Sequence, residues 1–147
     1  MKNIVLVLGI ILLNSCAAIS ENVALYPIYK SFISSLGEKE HKKSFEMLSS
    51  KNQNNLLKSS SIKQFSNHYP VLSSLNTVLL KEIEHFENIS SKNGCLTVNG
   101  FDSSKEPTSI NLEFIKENNK WKLDYTQIMY HGSNKEFPII ATCPARL

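Results

Sequence analysis

Two short stretches near the carboxy terminus alternate apolar and polar residues and are joined by a polar tetrapeptide, and they narrow the possible folds more than any other feature. Ile110, Leu112 and Phe114 occupy even positions; after Glu117-Asn118-Asn119-Lys120 the pattern resumes at Trp121, Leu123 and Tyr125. A period of two is the signature of a strand. The change of parity is what an antiparallel hairpin needs if both apolar sets are to share a face, with Phe114 opposite Leu123 and Leu112 opposite Tyr125. Asn118 and Asn119 suit the positive φ angles of a two-residue turn. After Gln127 the apolar positions slip to Ile128 and Tyr130, which predicts a bulge or the end of the strand. Upstream, Cys95-Leu96-Thr97-Val98 reads as a short strand, with Asn93-Gly94 as a turn signal before it and Asn99-Gly100 as a turn or bulge after it.

The first half of the chain reads differently. Leu25, Ile28, Tyr29, Phe32, Ile33 and Leu36 form one stripe at helical spacing, with Pro27 in the first turn and Gly37 placed for a left-handed cap. A second helix is expected over Glu38 to Ser50, with His41, Phe45 and Leu48 on one side, then a polar loop with one helical turn over Ser49 to Ser60. A third helix starts at Ser59-Ser60-Ser61 and carries Ile62, Phe65 and Tyr69 inward until Pro70 ends or kinks it. Val71 to Ile89 fits a helical face through Leu72, Leu75, Leu79, Ile83 and Phe86, but Thr77 to Leu80 and Ile83 also suit a strand. A strand after Asn76 is the reading adopted. Helices first and antiparallel strands afterwards imply an α+β fold in which helices cover the apolar face of a curved sheet. At 147 residues a single core is expected.

The amino terminus reads as an address. Lys2 is followed by the apolar run Ile4 to Leu13, too short for a span of roughly 20 residues but sufficient for a signal peptide. Leu13-Asn14-Ser15-Cys16 then resembles the lipobox of bacterial lipoproteins, in which the cysteine receives the lipid; Asn14 departs from the usual small or apolar residue. The alternative is an ordinary secretory peptide cut near Ala17-Ala18. The resemblance implies a signal peptide over 1–15, a lipidated tether over 16–24 and a single α+β domain over 25–147. It also implies palmitate-type acyl chains on Cys16 and, with Ala17 following it, anchoring in the outer membrane of a Gram-negative cell, facing the periplasm. Two cysteines then remain, Cys95 and Cys143, and an oxidising compartment favours a disulfide between them.

Composition and motifs exclude several function classes. The net charge is +3, and Arg146 is the only arginine. A nucleic-acid binder is therefore not expected, since phosphate and base recognition lean on Arg. No HExxH, GxSxG, GxGxxG or P-loop pattern occurs, and no metal or cofactor is expected. His41 lies among charged helix residues, His68 at a helix end, and Glu82, Glu84 and His85 form the densest titratable group, read as an exposed face. Phe65, Tyr69, His85, Phe114, Trp121 and Tyr125 form either a plain core or the walls of an apolar pocket.

The leading helix, Phe45-Glu46-Met47-Leu48-Ser49, and above all the hairpin from Leu112 to Asp124 resemble the nuclear-transport-factor-2-like (SnoaL-like, cystatin-type) superfamily. That resemblance implies a cone-shaped sheet lidded by helices. The function expected is non-enzymatic: an envelope lipoprotein binding a small apolar ligand or an envelope protein, with the tail Phe137-Pro138-Ile139-Ile140 as a stiff edge for a partner. An inhibitor or immunity lipoprotein directed at a toxic or lytic enzyme is the alternative, and a pocket hydrolase or isomerase a further one.

Overall fold

The computed structural model describes residues 24–37, 41–59 and 61–146. The expected signal peptide, Cys16 and nearly all of the tether lie outside the described residues. The fold is α+β: helices lead, and four antiparallel strands follow in a meander whose spatial order is the sequence order. The strands are β1 (Lys81–Ile89), β2 (Asn93–Phe101), β3 (Pro107–Glu117) and β4 (Lys120–Tyr130).

Helix α1 (Leu25–Gly37) follows the expected stripe and buries Leu25, Tyr29, Phe32 and Leu36 against the sheet. Gly37 ends it without a positive φ, so the expected left-handed cap is not used. Helix α2 (His41–Glu46) stops earlier than the spacing predicts. Its continuation is diverted into the sheet edge: the Leu123 amide donates to the Met47 carbonyl at 2.9 Å and the Ser49 amide to the Leu123 carbonyl at 2.9 Å. Ser49 then starts a new helix, α3 (Ser50–Ser59), by accepting from the Asn52 amide, so the expected loop is mostly helical. Leu56 fixes α3 to the core. A 3-10 turn (Ile62–Gln64) and three one-turn helices, α4 (Phe65–His68), α5 (Pro70–Ser73) and α6 (Leu75–Val78), complete the layer. Pro70 therefore restarts a helix as well as ending one, in the first-turn position where its missing amide costs nothing. The strand expected after Asn76 begins only at Lys81; Leu72 and Leu75 are buried on the helical face instead.

The hairpin β3–β4 has the predicted turn, with φ of 48° at Asn118 and 62° at Asn119, and Phe114 faces Leu123. Leu112, however, faces Thr126, because the register shifts between Glu113 and Phe114 and leaves Asp124 as the extra residue of β4. The bulge lies three residues before the expected slip at Gln127, and it turns Ile128 inward opposite Ile110. The two Asn-Gly pairs are not turns either. Both glycines lie inside β2, where a Cβ on Gly94 would stand 2.7 Å from the Leu25 side chain and one on Gly100 2.3 Å from the Lys81 carbonyl. The true β2–β3 turn is built by Asp102, whose carboxylate accepts from the Ser104 and Glu106 amides.

The apolar core lies between the helices and one face of the sheet. Leu96 and Val98 of β2, Ile110, Leu112 and Phe114 of β3 and Leu123 of β4 meet Phe32, Phe45, Leu48 and Phe65.

Candidate functional site

The opposite face of the sheet is polar and is also closed. Thr97, Asn99, Ser109 and Asn111 point away from the helices, yet all four are fully buried. Residues 131–146 cross over them as a strap. The Asn99 amide donates to the Pro138 carbonyl at 2.8 Å and to Glu84 at 3.1 Å; the Thr142 amide donates to Thr97 Oγ1 at 2.8 Å. Beneath the strap, Thr97 Oγ1 donates to Asn111 Oδ1 and Ser109 Oγ to Asn99 Oδ1, at 2.8 and 2.7 Å. The structure brings Cys95 and Cys143 to disulfide distance, with Cα atoms 5.1 Å apart. Past the cysteine, Arg146 reaches Glu113 at 2.8 Å and Asp124 at 3.2 Å, which holds the guanidinium proton even more firmly than usual.

Ser109 and His131 stand 2.8 Å apart, a spacing compatible with a nucleophile and its base. The hydrogen-bond directions argue otherwise. Asn99 Nδ2 faces two acceptors, Glu84 and the Pro138 carbonyl, so its Oδ1 must face Ser109 and take the serine proton. Ser109 is left to accept from His131 Nε2, and the imidazole acts as a donor within a buried network. Among the described residues no group of three His, Cys, Asp or Glu side chains is placed to hold a metal ion, and no helix is long and apolar enough to cross a membrane.

The aromatic set singled out by sequence does not converge. Phe65 and Phe114 are fully buried in the core. Trp121 is half-buried at its rim, with the Lys116 ammonium 5.6 Å from the ring centre. Tyr69 is half-buried and donates to the Asn52 carbonyl, and burial raises its phenol pKa. Tyr125 is turned by the Asp124 bulge onto the outer face, where it borders, with Tyr69, His68 and Val71, an open groove of about 260 Å³. His85 is exposed and stacks on Tyr26 with ring centres 3.8 Å apart.

Glu82 has a role that its spacing did not announce. It accepts from the hydroxyls of Tyr26 and Tyr29 and pairs with Lys30 at 3.1 Å, joining α1 to β1. The hydrogen bond to Glu82, followed by burial and the carboxylate's charge, pushes Tyr26 up to about 12. Burial, with Glu82 beside it, pushes Tyr29 higher still. Glu87 supplies the amino-terminal cap of α1, accepting from the Leu25 and Tyr26 amides at 3.0 and 2.7 Å. The residues involved were visible in sequence as charges and aromatics, but they lie more than fifty positions apart and no local pattern links them.

Exposed apolar side chains stand at two places outside the core: at the end of the sheet formed by the start of β1 and the end of β2, and on the strap between its anchors at Asn99 and Thr97. Leu80 is 75% exposed and shares a hollow with Lys81, Phe101, Asp102 and Lys105. Phe101 meets Phe137 at 6.1 Å between ring centres, and the strap continues through Pro138 to Ile139 and Ile140, which are 79% and 69% exposed. Large aliphatic groups at that exposure cost solvation without contributing to the core. Compared with protein-family profiles, curated proteins and solved structures, the chain matches none of them.

Proposed function

We propose that the chain is an exported outer-membrane lipoprotein, anchored through Cys16, whose periplasm-facing domain is a non-enzymatic module that binds an envelope protein. The observation that carries the protein-binding part is the contrast between a filled interior and large aliphatic side chains left in solvent. Phe65 and Phe114 pack with the leucines of the helix–sheet layer, leaving the small apolar ligand reading with less support, while Leu80, Ile139 and Ile140 stand in solvent. The Cys95–Cys143 pair supports an oxidising compartment, where such a bond persists. Several helices followed by a four-stranded meander support the nuclear-transport-factor-2-like reading of the domain.

The test is a pull-down from envelope extract with a soluble Ala17–Leu147 form, alone and carrying Leu80→Asp with Ile140→Asp. A protein retained by the first and lost by the second supports the reading; equal retention, or a ligand displaced from the core, sinks it. If the retained protein is a lytic or toxic enzyme, the inhibitor or immunity role is the one at work. In the cell, Cys16→Ser releases the chain to the soluble fraction after a high-salt wash; retention in the membrane fraction refutes the lipid anchor.

A further inference from the structure

The end of the sheet opposite the apolar one has its own character. The turns after β1 and after β3 both lie there: the Lys116 amide donates to the Lys92 carbonyl at 2.8 Å, and Glu117 pairs with Lys120 across the hairpin. Lys92, Lys116 and Lys120 are exposed. Two carboxylates at this end are turned inward onto helix starts. Glu87 caps α1, and Glu117 accepts from the Ser50 amide at 3.0 Å and from its hydroxyl at 2.6 Å, at the start of α3. Lys30 and Arg146 are ion-paired with carboxylates elsewhere; among the described residues no carboxylate is ion-paired with these three lysines.

The amino-terminal segment enters the domain at this same end, since Leu25 packs on Gly94 and its amide is held by Glu87. Leu25 is nine positions after Cys16, a reach of at most about 30 Å when fully extended. The apolar end lies further along the strands by about 30 Å, the length of a nine-residue strand at roughly 3.3 Å per residue.

We propose that the end carrying Lys92, Lys116 and Lys120 is a docking surface for an anionic phospholipid bilayer. Its charge complements the headgroups, and the chain leading to the anchor leaves from it. Docking there turns Leu80, beside Phe101 at the other end of the sheet, away from the membrane and toward the periplasm. The orientation rests on the lipid-anchor reading above; the affinity of the lysine end for anionic lipid does not.

The two can be separated by experiment. The exported chain carrying Cys16→Ser, and so no lipid, is sedimented with vesicles of phosphatidylcholine alone and of phosphatidylcholine mixed with phosphatidylglycerol. Binding to the mixed vesicles only, lost at high salt, is the result expected. Each of K92Q, K116Q and K120Q lowers the partition about fivefold, the factor corresponding to one lysine at an anionic surface. Their melting temperatures stay at the wild-type value because all three side chains are exposed. K81Q, K105Q and K135Q together, which remove the same charge elsewhere, leave the partition unchanged. Equal sedimentation with both vesicle types, or a loss in the K81Q, K105Q and K135Q variant equal to that of K92Q, K116Q and K120Q combined in one chain, overturns the docking surface. Palmitate incorporation by the full chain in cells reports the anchor separately: label without vesicle binding overturns the docking surface alone, and vesicle binding without label leaves it standing and removes the anchor.

Discussion

The two faces of the sheet are both buried, and they are buried by different physics. The helix-covered face carries Leu96, Val98, Ile110, Leu112 and Phe114, whose removal from water is favourable in any arrangement that excludes it. The strap-covered face carries Thr97, Asn99, Ser109 and Asn111, whose burial is tolerable only because each polar group has found a partner. The first face is forgiving of detail and sensitive to volume. The second is sensitive to detail, and the segment covering it contributes few buried apolar side chains of its own. A cross-link at Cys95 and Cys143 supplies what apolar area does not, so the difference teaches that strand alternation alone does not decide which face of a sheet is wet.

Five variants sharpen or break this contrast. Phe114→Ala opens a cavity on the apolar face and lowers stability by about 3–5 kcal/mol, read from denaturant unfolding. Trp121→Ala, at the rim, costs visibly less in the same assay; equal losses would mean that the rim and the core are not distinct. Replacing both Cys95 and Cys143 by serine costs about 4 kcal/mol by loop-closure entropy for a separation of 48 residues. Hydrogen exchange then rises along the strap before it rises in α1. Simultaneous loss of protection in both would show that the two layers are one cooperative unit.

Asn99→Ala strands Ser109 and the Pro138 carbonyl and costs about 1–3 kcal/mol, whereas a loss below that range would mean that water replaces the amide freely. The smallest effect belongs to the α1–β1 joint. Because Tyr26 is held near 12 in the folded state against 10.0 when unfolded, its contribution is complete below pH 10 and is lost as pH rises towards 12. Screening by solvent limits it to about 1 kcal/mol or less. Tyr26→Phe flattens that alkaline decline, leaving the part due to Tyr29; an unchanged slope removes Tyr26 from the joint.

What could be read from the sequence divides along the same lines. The hairpin turn at Asn118-Asn119, the pairing of Phe114 with Leu123 and the start of α1 with its buried stripe follow from local periodicity and turn chemistry, and the structure has them. Helix α3 was not legible because Ser50 to Ser59 is rich in Asn, Lys and Ser; one buried leucine, a cap from Ser49 and a carboxylate 67 positions away stabilise it. The Asp124 bulge was misplaced because the apolar slip shows only at Ile128, while the cause lies where Asp124 accepts from Ser49 and pairs with Arg146. The glycines of β2 read as turn formers in the sequence because a missing side chain looks alike whether it frees φ or makes room. The polar lining of the outer face carried a strand's alternation but no mark that a strap would cover it.

The helix caps have a consequence for assembly. Glu87 begins α1 from a strand about sixty residues downstream, and Glu117 begins α3 from a hairpin further along still. Neither carboxylate is in position until the meander has its register, so those first turns are completed late, after ribosomal synthesis of the strands, and the order in which the chain is made is not the order in which it becomes ordered.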